Sequence, residues 1–171
     1  MVLKITLSLS GFFLNSRGNA MSVNNQFKYT NLSEIIIDNK IYSRVTSHLV
    51  LSAHLNAANN LFGGILVQWA DECAGIYVME ILKTHHIVTK KISEVLFNEP
   101  AKLGDVLEFL CGVKSVGKTS ITIECITRAR EIDMEDRLRT ILKCDFVFVK
   151  IDKFGRPTQH NFTLPDSNSQ K

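Results

Sequence analysis

The chain has 171 residues, of which 45% are hydrophobic and 22% are charged, and its net charge at pH 7 is +3. This length favours one domain, and this balance is that of a globular protein, which excludes a largely disordered or low-complexity chain. The apolar runs are shorter than the roughly 20 residues that a membrane-spanning helix needs. The mild positive charge does not indicate binding to nucleic acid or to a membrane. We therefore predict a soluble domain with its own core.

The N-terminal residues 1–30 are predicted to be an extension outside the folded domain, either disordered or a targeting or upstream segment. No acidic residue precedes Glu34. A secretory signal, an organelle presequence and a segment upstream of a start at Met21 all fit this composition, and we favour the last of these. The domain is predicted to span residues 31–160, and residues 161–171 are predicted to form a polar tail.

Beyond this extension, one long helix is predicted among five strands. Tyr42–Leu51 is rich in Val, Leu and Thr and predicts the first strand. Ala53–Asn60 is small and rich in asparagine, which predicts a loop, and Phe62–Lys83 is the helix candidate. Four further strands are predicted at His86–Phe97, Asp105–Val116, Ser120–Arg130 and Leu138–Ile151.

The predicted helix is apolar around nearly its whole circumference, which is typical of a buried helix. One helix among several strands with hairpin-length connections indicates an α+β domain. We therefore predict the hotdog fold, in which an antiparallel β-sheet wraps around one long buried helix.

The four cysteines form no Cys-x-x-Cys pair; they are Cys73, Cys111, Cys125 and Cys144. Each lies in an apolar stretch, where free cysteine is usually buried. Because the paired ligands of a zinc site are missing, we predict no metal site, and we interpret the cysteines as reduced core thiols in a reducing compartment.

Three polar residues interrupt the apolar helix, namely Gln68, Asp71 and Glu72. Spacings of three and four residues place Asp71 and Glu72 on the same face as Gln68. A carboxylate in a buried helix needs a partner to offset its lost hydration, so these residues are candidates for a functional site. The structural alternative is a polar stripe that faces a subunit interface or loop amides.

The start of the helix contains a second set of candidate residues. Gly63 and Gly64 lie in the first turn, where backbone N–H groups are free and the helix dipole is positive, so they could bind an oxyanion or a polarised carbonyl. Packing or capping is an equally common reason for two glycines. Asn56, in the preceding loop, could hold a water or a carbonyl, and its alternative is an ordinary Asx turn.

A third candidate site is the predicted turn between two strands at residues 116–120. It contains one cation, Lys118, and two hydroxyl groups, those of Thr119 and Ser120. These side chains could contact a phosphate, and the alternative is a plain β-hairpin.

Together these residues resemble the acyl-CoA thioesterases of the hotdog superfamily, of the cytosolic acyl-CoA hydrolase type. That family has the motif Asn-x-x-Gly-x-x-Phe-Gly-Gly, with an aspartate fifteen residues after the asparagine. Here Asn56 begins the motif and Asp71 follows it by fifteen residues. Asn59 replaces the family's first glycine. If that position needs a positive φ, asparagine is the best substitute, so we expect the loop to be retained.

The resemblance continues through three further elements and covers roughly residues 45–157. The family's Phe-x-x-Pro-x-x-x-Gly-Asp hairpin, Gly-x-Thr-Ser turn and last strand are similar to residues 97–105, 117–120 and 146–152. Order and spacing are kept across all of these elements, which makes the combination specific.

The resemblance implies hydrolysis of an acyl-CoA thioester to a free carboxylic acid and CoA. It implies that Asp71 is the general base or the nucleophile, that the Gly64 N–H stabilises the oxyanion, and that Asn56 positions the water or the carbonyl. Residues implied to bind the substrate or CoA are Gly63, Lys118, Thr119 and Ser120.

The resemblance also implies a homodimer in which Asn56 of one subunit faces Asp71 of the other, with a trimer of dimers as the higher assembly. It implies no cofactor other than coenzyme A as part of the substrate and product. Nucleic acid and membrane partners are not expected. We expect a cytoplasmic location, or the mitochondrial matrix if residues 1–20 are a presequence.

Two other functions remain open at this stage. A hotdog dehydratase or hydratase would pair a histidine with a helix carboxylate, and His54 with Glu72 is the only candidate, at a spacing that does not fit the dehydratase pattern. A non-catalytic acyl-CoA sensor would keep the pocket without turnover. Such a sensor has little use for Asp71 beside a carbonyl, and no helix-turn-helix region precedes the first predicted strand.

Overall fold

The chain divides into two compact units, Met1–Asn31 and Leu32–Lys171. In the first unit, strand β1 (Phe12–Leu14) pairs antiparallel with strand β2 (Ala20–Ser22). Most other residues of the predicted N-terminal extension and C-terminal tail lie outside the described part of the chain. The computed structural model describes residues 12–14, 20–22, 33–130 and 138–164.

The second unit contains an antiparallel sheet of six strands and one long α-helix. The strands are β3 (Ser33–Ile37), β4 (Lys40–Leu49), β5 (Ile87–Phe97), β6 (Val106–Val116), β7 (Ser120–Arg130) and β8 (Leu138–Lys150). They lie side by side in the order β3–β4–β6–β7–β8–β5. Helix α1 (Gly63–Leu82) packs against one face of this sheet. The predicted hotdog arrangement is therefore confirmed.

Strand β3 is an element that the sequence analysis missed, since it placed the first strand of the domain at Tyr42. β3 pairs with β4 through a two-residue turn at Asp38 and Asn39, whose φ values are 48° and 61°. Two successive positive φ values are typical of a tight hairpin turn, in which asparagine and aspartate are favoured. The turn contains no glycine or proline, and β3 has only five residues, so its local signal is weak.

The core lies between α1 and the sheet. Side chains from one face of α1 are fully buried against large apolar residues of the strands, including Phe109, Phe146 and Phe148. The opposite side of the helix is open, because Ile76 and Met79 are 47% and 40% exposed. The expectation that α1 is buried on all sides is therefore wrong for the single chain. No described element of the second unit covers this side of the helix.

The four cysteines are free and buried, which confirms their interpretation as core thiols. Cys111, Cys125 and Cys144 lie directly opposite one another on three neighbouring strands. Burial raises the pKa of the Cys73 thiol to about 12. A thiol that stays protonated is a poor nucleophile, so these residues stabilise the core by packing.

The opposite face of the sheet contains a buried carboxylate, that of Glu124. The Tyr42 hydroxyl donates a hydrogen bond to it, and the Nζ atoms of Lys40 and Lys143 lie 3.3 and 3.2 Å from its oxygens. Burial alone raises the pKa of Glu124, but these hydrogen bonds outweigh burial and lower it to about 2. The ionised carboxylate therefore connects strands β4, β7 and β8 on this face.

We expect the Glu124 carboxylate to make the free energy of unfolding depend on pH. Its folded pKa is below its ordinary value of 4.5, so its contribution is present above pH 4.5 and is lost as the pH falls toward 2. Glu124→Gln should lower the free energy of unfolding at pH 7 by about 1–3 kcal/mol and flatten this pH dependence. Urea unfolding between pH 2.5 and 7 measures both effects.

A matched control for this prediction is Glu80→Gln. Glu80 also pairs with a lysine, at 3.4 Å, but this pair is exposed on α1. An exposed pair contributes at most about 1 kcal/mol, so we expect nearly unchanged unfolding. An unaltered pH dependence in Glu124→Gln would contradict our assignment.

The loop before α1 holds Asn59 at φ 56°, in the left-handed region. This confirms the expectation for the position where the family has glycine. The Asn59 N–H donates to the Asn56 carbonyl at 2.9 Å, and the Asn56 N–H donates to the Asn60 carbonyl at 2.8 Å. The loop is thus closed by its own backbone and delivers the chain to the helix start.

Asn59→Ala should lower the free energy of unfolding by about 1–2 kcal/mol, because a Cβ is disfavoured at positive φ. Asn59→Gly is the control and should unfold at the wild-type denaturant concentration or slightly above it. Chemical denaturation of the three proteins side by side measures the difference. Equal stability of the alanine and glycine variants would show that the left-handed backbone is not required.

Candidate active site

The first turn of α1 presents backbone N–H groups without partners. Phe62, the residue before the helix, has extended backbone and makes no side-chain cap. The first helical hydrogen bond runs from the Leu66 N–H to the Phe62 carbonyl, at 3.1 Å. The N–H groups of Gly63, Gly64 and Ile65 therefore have no acceptor among the described residues. With the positive end of the helix dipole, they can bind a polarised carbonyl oxygen.

The two glycines of this turn have different surroundings. A Cβ on Gly63 would lie 3.2 Å from Cζ of Phe97, so close packing alone explains this glycine. A Cβ on Gly64 would lie 3.4 Å from the Phe62 ring, which is an ordinary contact. The packing alternative from the sequence analysis therefore applies to Gly63, while the N–H groups of both residues remain available.

Asp71 lies two turns further along α1 and is half-buried. Its Oδ1 accepts a hydrogen bond from the Thr89 hydroxyl, at 2.9 Å. Glu72 instead accepts a hydrogen bond from Gln68 at 2.9 Å on the exposed side of the helix. The predicted polar stripe is thus divided, and only Asp71 is directed toward the sheet.

Thr89 is a residue that the sequence analysis did not single out. It lies in strand β5, eighteen residues after Asp71, within no motif. Only the packing of α1 against β5 brings the two side chains together. A hydroxyl that donates to one carboxylate oxygen fixes the orientation of the other oxygen. Within a strand, one threonine among other β-formers gives no signal by which this contact could be recognised.

Asn56 does not contact Asp71 within the described chain. Its Oδ1 accepts hydrogen bonds from the N–H groups of Ala58, at 2.9 Å, and Asn60, at 3.2 Å. The side-chain oxygen of Asn56 therefore forms an Asx turn, which was the structural alternative. Its Nδ2 group has no acceptor among the described residues and remains a donor.

Asp71 and the free N–H of Gly64 also lie apart. Seven residues separate them on one regular helix, which amounts to roughly 10 Å along its axis. Groups that act on one reacting carbon must approach it to about 3–3.5 Å. A single chain therefore cannot bring both groups to the same substrate atom.

The turn at residues 117–120 lies at the other end of the sheet from the helix start. Ser120 pairs with Val149, which pairs in turn with Val88 at the beginning of β5. Phe97, the last residue of β5, packs against Gly63. Because β5 has eleven residues, the two ends are roughly 35 Å apart. One chain therefore does not bring Lys118, Thr119 and Ser120 to the helix start.

The turn itself is a tight hairpin held by its backbone. The Gly117 N–H donates to the Ser120 carbonyl at 2.8 Å, and the Lys150 N–H donates to the Thr119 carbonyl at 2.9 Å. The His160 ring lies 3.1 Å from the Ser120 carbonyl oxygen. The Lys118 side chain is exposed. The backbone of this turn is therefore that of a β-hairpin, as in the structural alternative. The ammonium group of Lys118 remains available to bind a ligand.

A cavity of about 320 Å³ adjoins the start of α1. Neither Asp71 nor Asn56 lines it. Its walls come from the helix start, the end of β5, the following loop and β8, through residues Asn60, Leu61, Gly63, Leu66, Phe97, Asn98, Glu99, Pro100, Ala101 and Ile141.

The structure does not form the histidine–carboxylate pair of the alternative dehydratase function. His54 Nδ1 accepts a hydrogen bond from the Leu51 N–H at 3.1 Å, and its ring packs edge-on against Trp69. Glu72 makes its hydrogen bond with Gln68 instead. These two residues thus have separate structural roles, and a dehydratase site is not supported.

Strand β5 is an edge strand of the sheet, and Thr89 lies in it. Three of its apolar side chains, those of Val88, Ile92 and Leu96, are at least 41% exposed. Ile92 pairs with the buried Phe146 on the face that α1 covers, whereas Val88 and Leu96 lie on the other face. A long unpaired edge with exposed apolar side chains is typical of a surface that another chain covers.

Comparison with known proteins places the chain in a family. The model of the thioesterase superfamily matches residues 58–133. An uncharacterized acyl-CoA thioester hydrolase of Zymomonas mobilis is 30% identical over 111 residues, which are 65% of this chain and 73% of that protein. Mouse acyl-coenzyme A thioesterase 11 is 30% identical over 124 residues, which are 72% of this chain and 21% of that longer protein.

Solved structures have the same fold. A hexameric thioesterase of Yersinia pestis superposes with a TM-score of 0.65 at 25% identity, over 70% of this chain and 96% of that one. A hexameric hotdog fold thioesterase of Campylobacter jejuni gives a TM-score of 0.62 at 23% identity, over 68% and 89% of the two chains. Among the described residues, no helix is long and apolar enough to cross a membrane. The chain belongs to the acyl-CoA thioester hydrolases of the thioesterase superfamily, and it is a thioesterase with the hotdog fold.

Proposed function

We propose that the chain hydrolyses acyl-CoA at a site shared by two copies, in which Gly64 of one copy and Asp71 of the other act on the same thioester. The observation that supports this proposal most directly is the separation of these two groups along α1. Because one helix holds them roughly 10 Å apart, each needs a complement from another chain.

Pairing of the β5 strands of two copies brings Asp71 of one copy near Gly64 of the other. A two-fold axis between two copies of one strand makes the pair antiparallel. The beginning of β5, where Thr89 contacts Asp71, then lies beside the end of the partner's β5, where Phe97 contacts Gly63. The same pairing covers the exposed apolar side chains of β5 and α1. The hexameric relatives agree with a homo-oligomer, and we propose a trimer of such dimers.

In the proposed reaction, the thioester carbonyl oxygen accepts a hydrogen bond from the Gly64 N–H, with the Gly63 N–H beside it. The Asp71 carboxylate takes a proton from water as the water oxygen bonds to the carbonyl carbon. The C–S bond then breaks, and the proton passes to the CoA sulfur, which gives the free acid and CoA. Direct attack by Asp71, through a mixed anhydride, is the second route that this geometry allows. The Asn56 Nδ2 group orients the water or the carbonyl.

The turn at residues 117–120 completes the proposed site. It lies at the same end of the sheet as the beginning of β5. In the antiparallel pair it is therefore near the partner's helix start. We propose that Lys118 pairs with a CoA phosphate and that the Thr119 and Ser120 hydroxyls bind the phosphate or the pantetheine arm. The proposed mechanism needs no metal and no cofactor besides the CoA of the substrate, and no other class of partner.

Asp71→Ala should lower kcat at least about 100-fold and leave the fold intact, because it removes the positioned acid–base group. Release of free thiol from acyl-CoA measures the rate. Asp38→Asn is the control, since Asp38 is exposed in the turn between β3 and β4, at the edge of the sheet away from β5, and it should retain nearly full activity. Full activity in Asp71→Ala would show that another residue is the general base or the nucleophile. Tight binding of acyl-CoA by the wild type without turnover would favour the sensor function.

Thr89 is proposed as a positioning residue that acts through Asp71. Thr89→Val removes the hydrogen bond that orients the Asp71 carboxylate, so kcat should fall while KM stays nearly unchanged. Thr89→Ser keeps the hydroxyl and should restore kcat. An unchanged kcat in Thr89→Val would show that the hydroxyl does not position the carboxylate.

The Gly64 N–H can be tested by a pair of variants. Gly64→Pro removes the N–H at the first turn, where proline is tolerated, and should lower kcat about 10²–10³-fold. Gly64→Ala keeps the N–H, and its Cβ meets only an ordinary contact, so most of the activity should remain. Equal losses in both variants would indicate a steric effect instead of a lost donor.

The shared site is tested by mixing two inactive proteins. Asp71→Ala and Gly64→Pro chains that are unfolded and refolded together should recover up to about a quarter of the wild-type activity. Half of the dimers are then mixed, and each mixed dimer has one intact site of two. Each variant refolded alone is the control. No recovery in mixed dimers that are shown to form would place both groups in one chain and would contradict the proposal.

A further inference from the structure

We infer that the cavity beside the helix start holds the acyl chain of the substrate, and that Phe97 sets the longest chain that is accepted. This inference rests on the proposed function, since it takes the carbonyl oxygen to lie at the first turn of α1. It adds the substrate class and a residue that determines specificity.

The position of the cavity is the first argument. Gly63 lines it, and the free N–H groups of Gly63 and Gly64 lie at the same turn. A thioester carbonyl that is bound there has the cavity as its neighbouring space. The acyl chain extends from that carbonyl carbon, whereas the CoA moiety extends from the sulfur on its other side.

The chemistry of the walls is the second argument. Most of the lining is apolar, with contributions from the helix start, β5, the loop after it and β8; the apolar residues are Leu61, Leu66, Phe97, Pro100, Ala101 and Ile141. A lining of this kind favours an alkyl chain over the polar pantetheine arm or a phosphate. The remaining side chains of the lining are Asn60, Asn98 and Glu99, of which Glu99 is 49% exposed.

The walls are held by hydrogen bonds, so the size of the cavity is defined. The Leu61 N–H donates to the Ala101 carbonyl at 2.8 Å, and the Asn98 N–H donates to the Ile141 carbonyl at 2.9 Å. The Arg139 guanidinium donates to the Pro100 carbonyl at 2.9 Å. The loop after β5 is thereby fixed to both the helix start and β8.

The cavity sets a chain length, because chain carbons that lie between its walls leave water and carbons beyond the walls remain in it. Each buried methylene should raise kcat/KM about fourfold, and each further methylene should add little.

Phe97 is the part of the wall that lies outside the buried core of the chain, in the β5 edge that the proposed dimer covers. In the single chain its side chain is 56% exposed, whereas Leu66 and Ile141 are buried. Its ring lies against Gly63, between the helix start and the loop after β5. Phe97→Ala should enlarge the cavity by about the volume of three to four carbons, and Phe97→Trp should reduce it.

The experiment measures kcat/KM for straight-chain acyl-CoAs from two to sixteen carbons. For the wild type we expect kcat/KM to increase with length up to a limit and then to level off. In Phe97→Ala the limit should move to longer chains, with at least a tenfold gain for a chain two carbons beyond the wild-type limit, and in Phe97→Trp it should move to shorter ones. Phe154→Ala is the matched control, because Phe154 is an exposed phenylalanine that does not line the cavity.

The outcomes separate this inference from the proposed function. An unchanged length profile in both Phe97 variants, with hydrolysis retained, overturns the inference and leaves the shared site intact. An equal loss for all lengths in folded Phe97→Ala shows a structural role and also overturns it. If the wild type hydrolyses no acyl-CoA at all, the proposed function fails and the inference fails with it.

Discussion

The rigid rise of one α-helix determines how this molecule can work. α1 presents free backbone amides at its first turn and a carboxylate two turns later, and nothing within a helix can shorten that separation. The amides need no side chain, so two glycines are sufficient there. The Thr89 hydroxyl of the neighbouring strand donates to the Asp71 carboxylate. In the proposed reaction each half of the chemistry lies in one chain, and a second copy brings the two halves together.

The sheet makes that meeting possible because it leaves one side of the helix uncovered. The strand order ends with β5, whose outer edge has no partner in the described chain. The apolar side chains of Ile76 and Met79 on the open side of α1 are exposed for the same reason. In the proposed dimer, these exposed side chains and the residues that need a complement lie at the same edge of the sheet. Oligomerisation and chemistry would then depend on the same edge.

The regular elements could be predicted from the sequence because each is long and has a clear pattern. The helix and the five strands lie within two residues of their predicted bounds, and Asn59 adopts the left-handed backbone expected of a glycine substitute. The resemblance singled out Asp71 by its spacing from Asn56. These features depend on local sequence, where periodicity and turn preferences apply.

The features that could not be predicted depend on contacts between distant segments. β3 is short, and its turn lacks glycine. Thr89 acquires a role only when β5 packs against α1. The exposed side of α1 consists of apolar residues, as a buried side would. The sequence alone does not distinguish apolar residues that face another chain from those that face the core. The cavity is formed by three separate segments of the chain, so no single motif describes it.

The close approach of Phe97 to Gly63 couples two properties that are usually independent. The aromatic ring rests on the backbone of Gly63, whose amide is proposed to bind the substrate oxygen. A shift of the ring changes the room for the hydrocarbon tail and, at the same time, the access of water to that amide. Natural variation at this phenylalanine would therefore alter turnover and selectivity together. Relatives that have a different residue at this position should therefore differ both in turnover and in the chain length that they prefer.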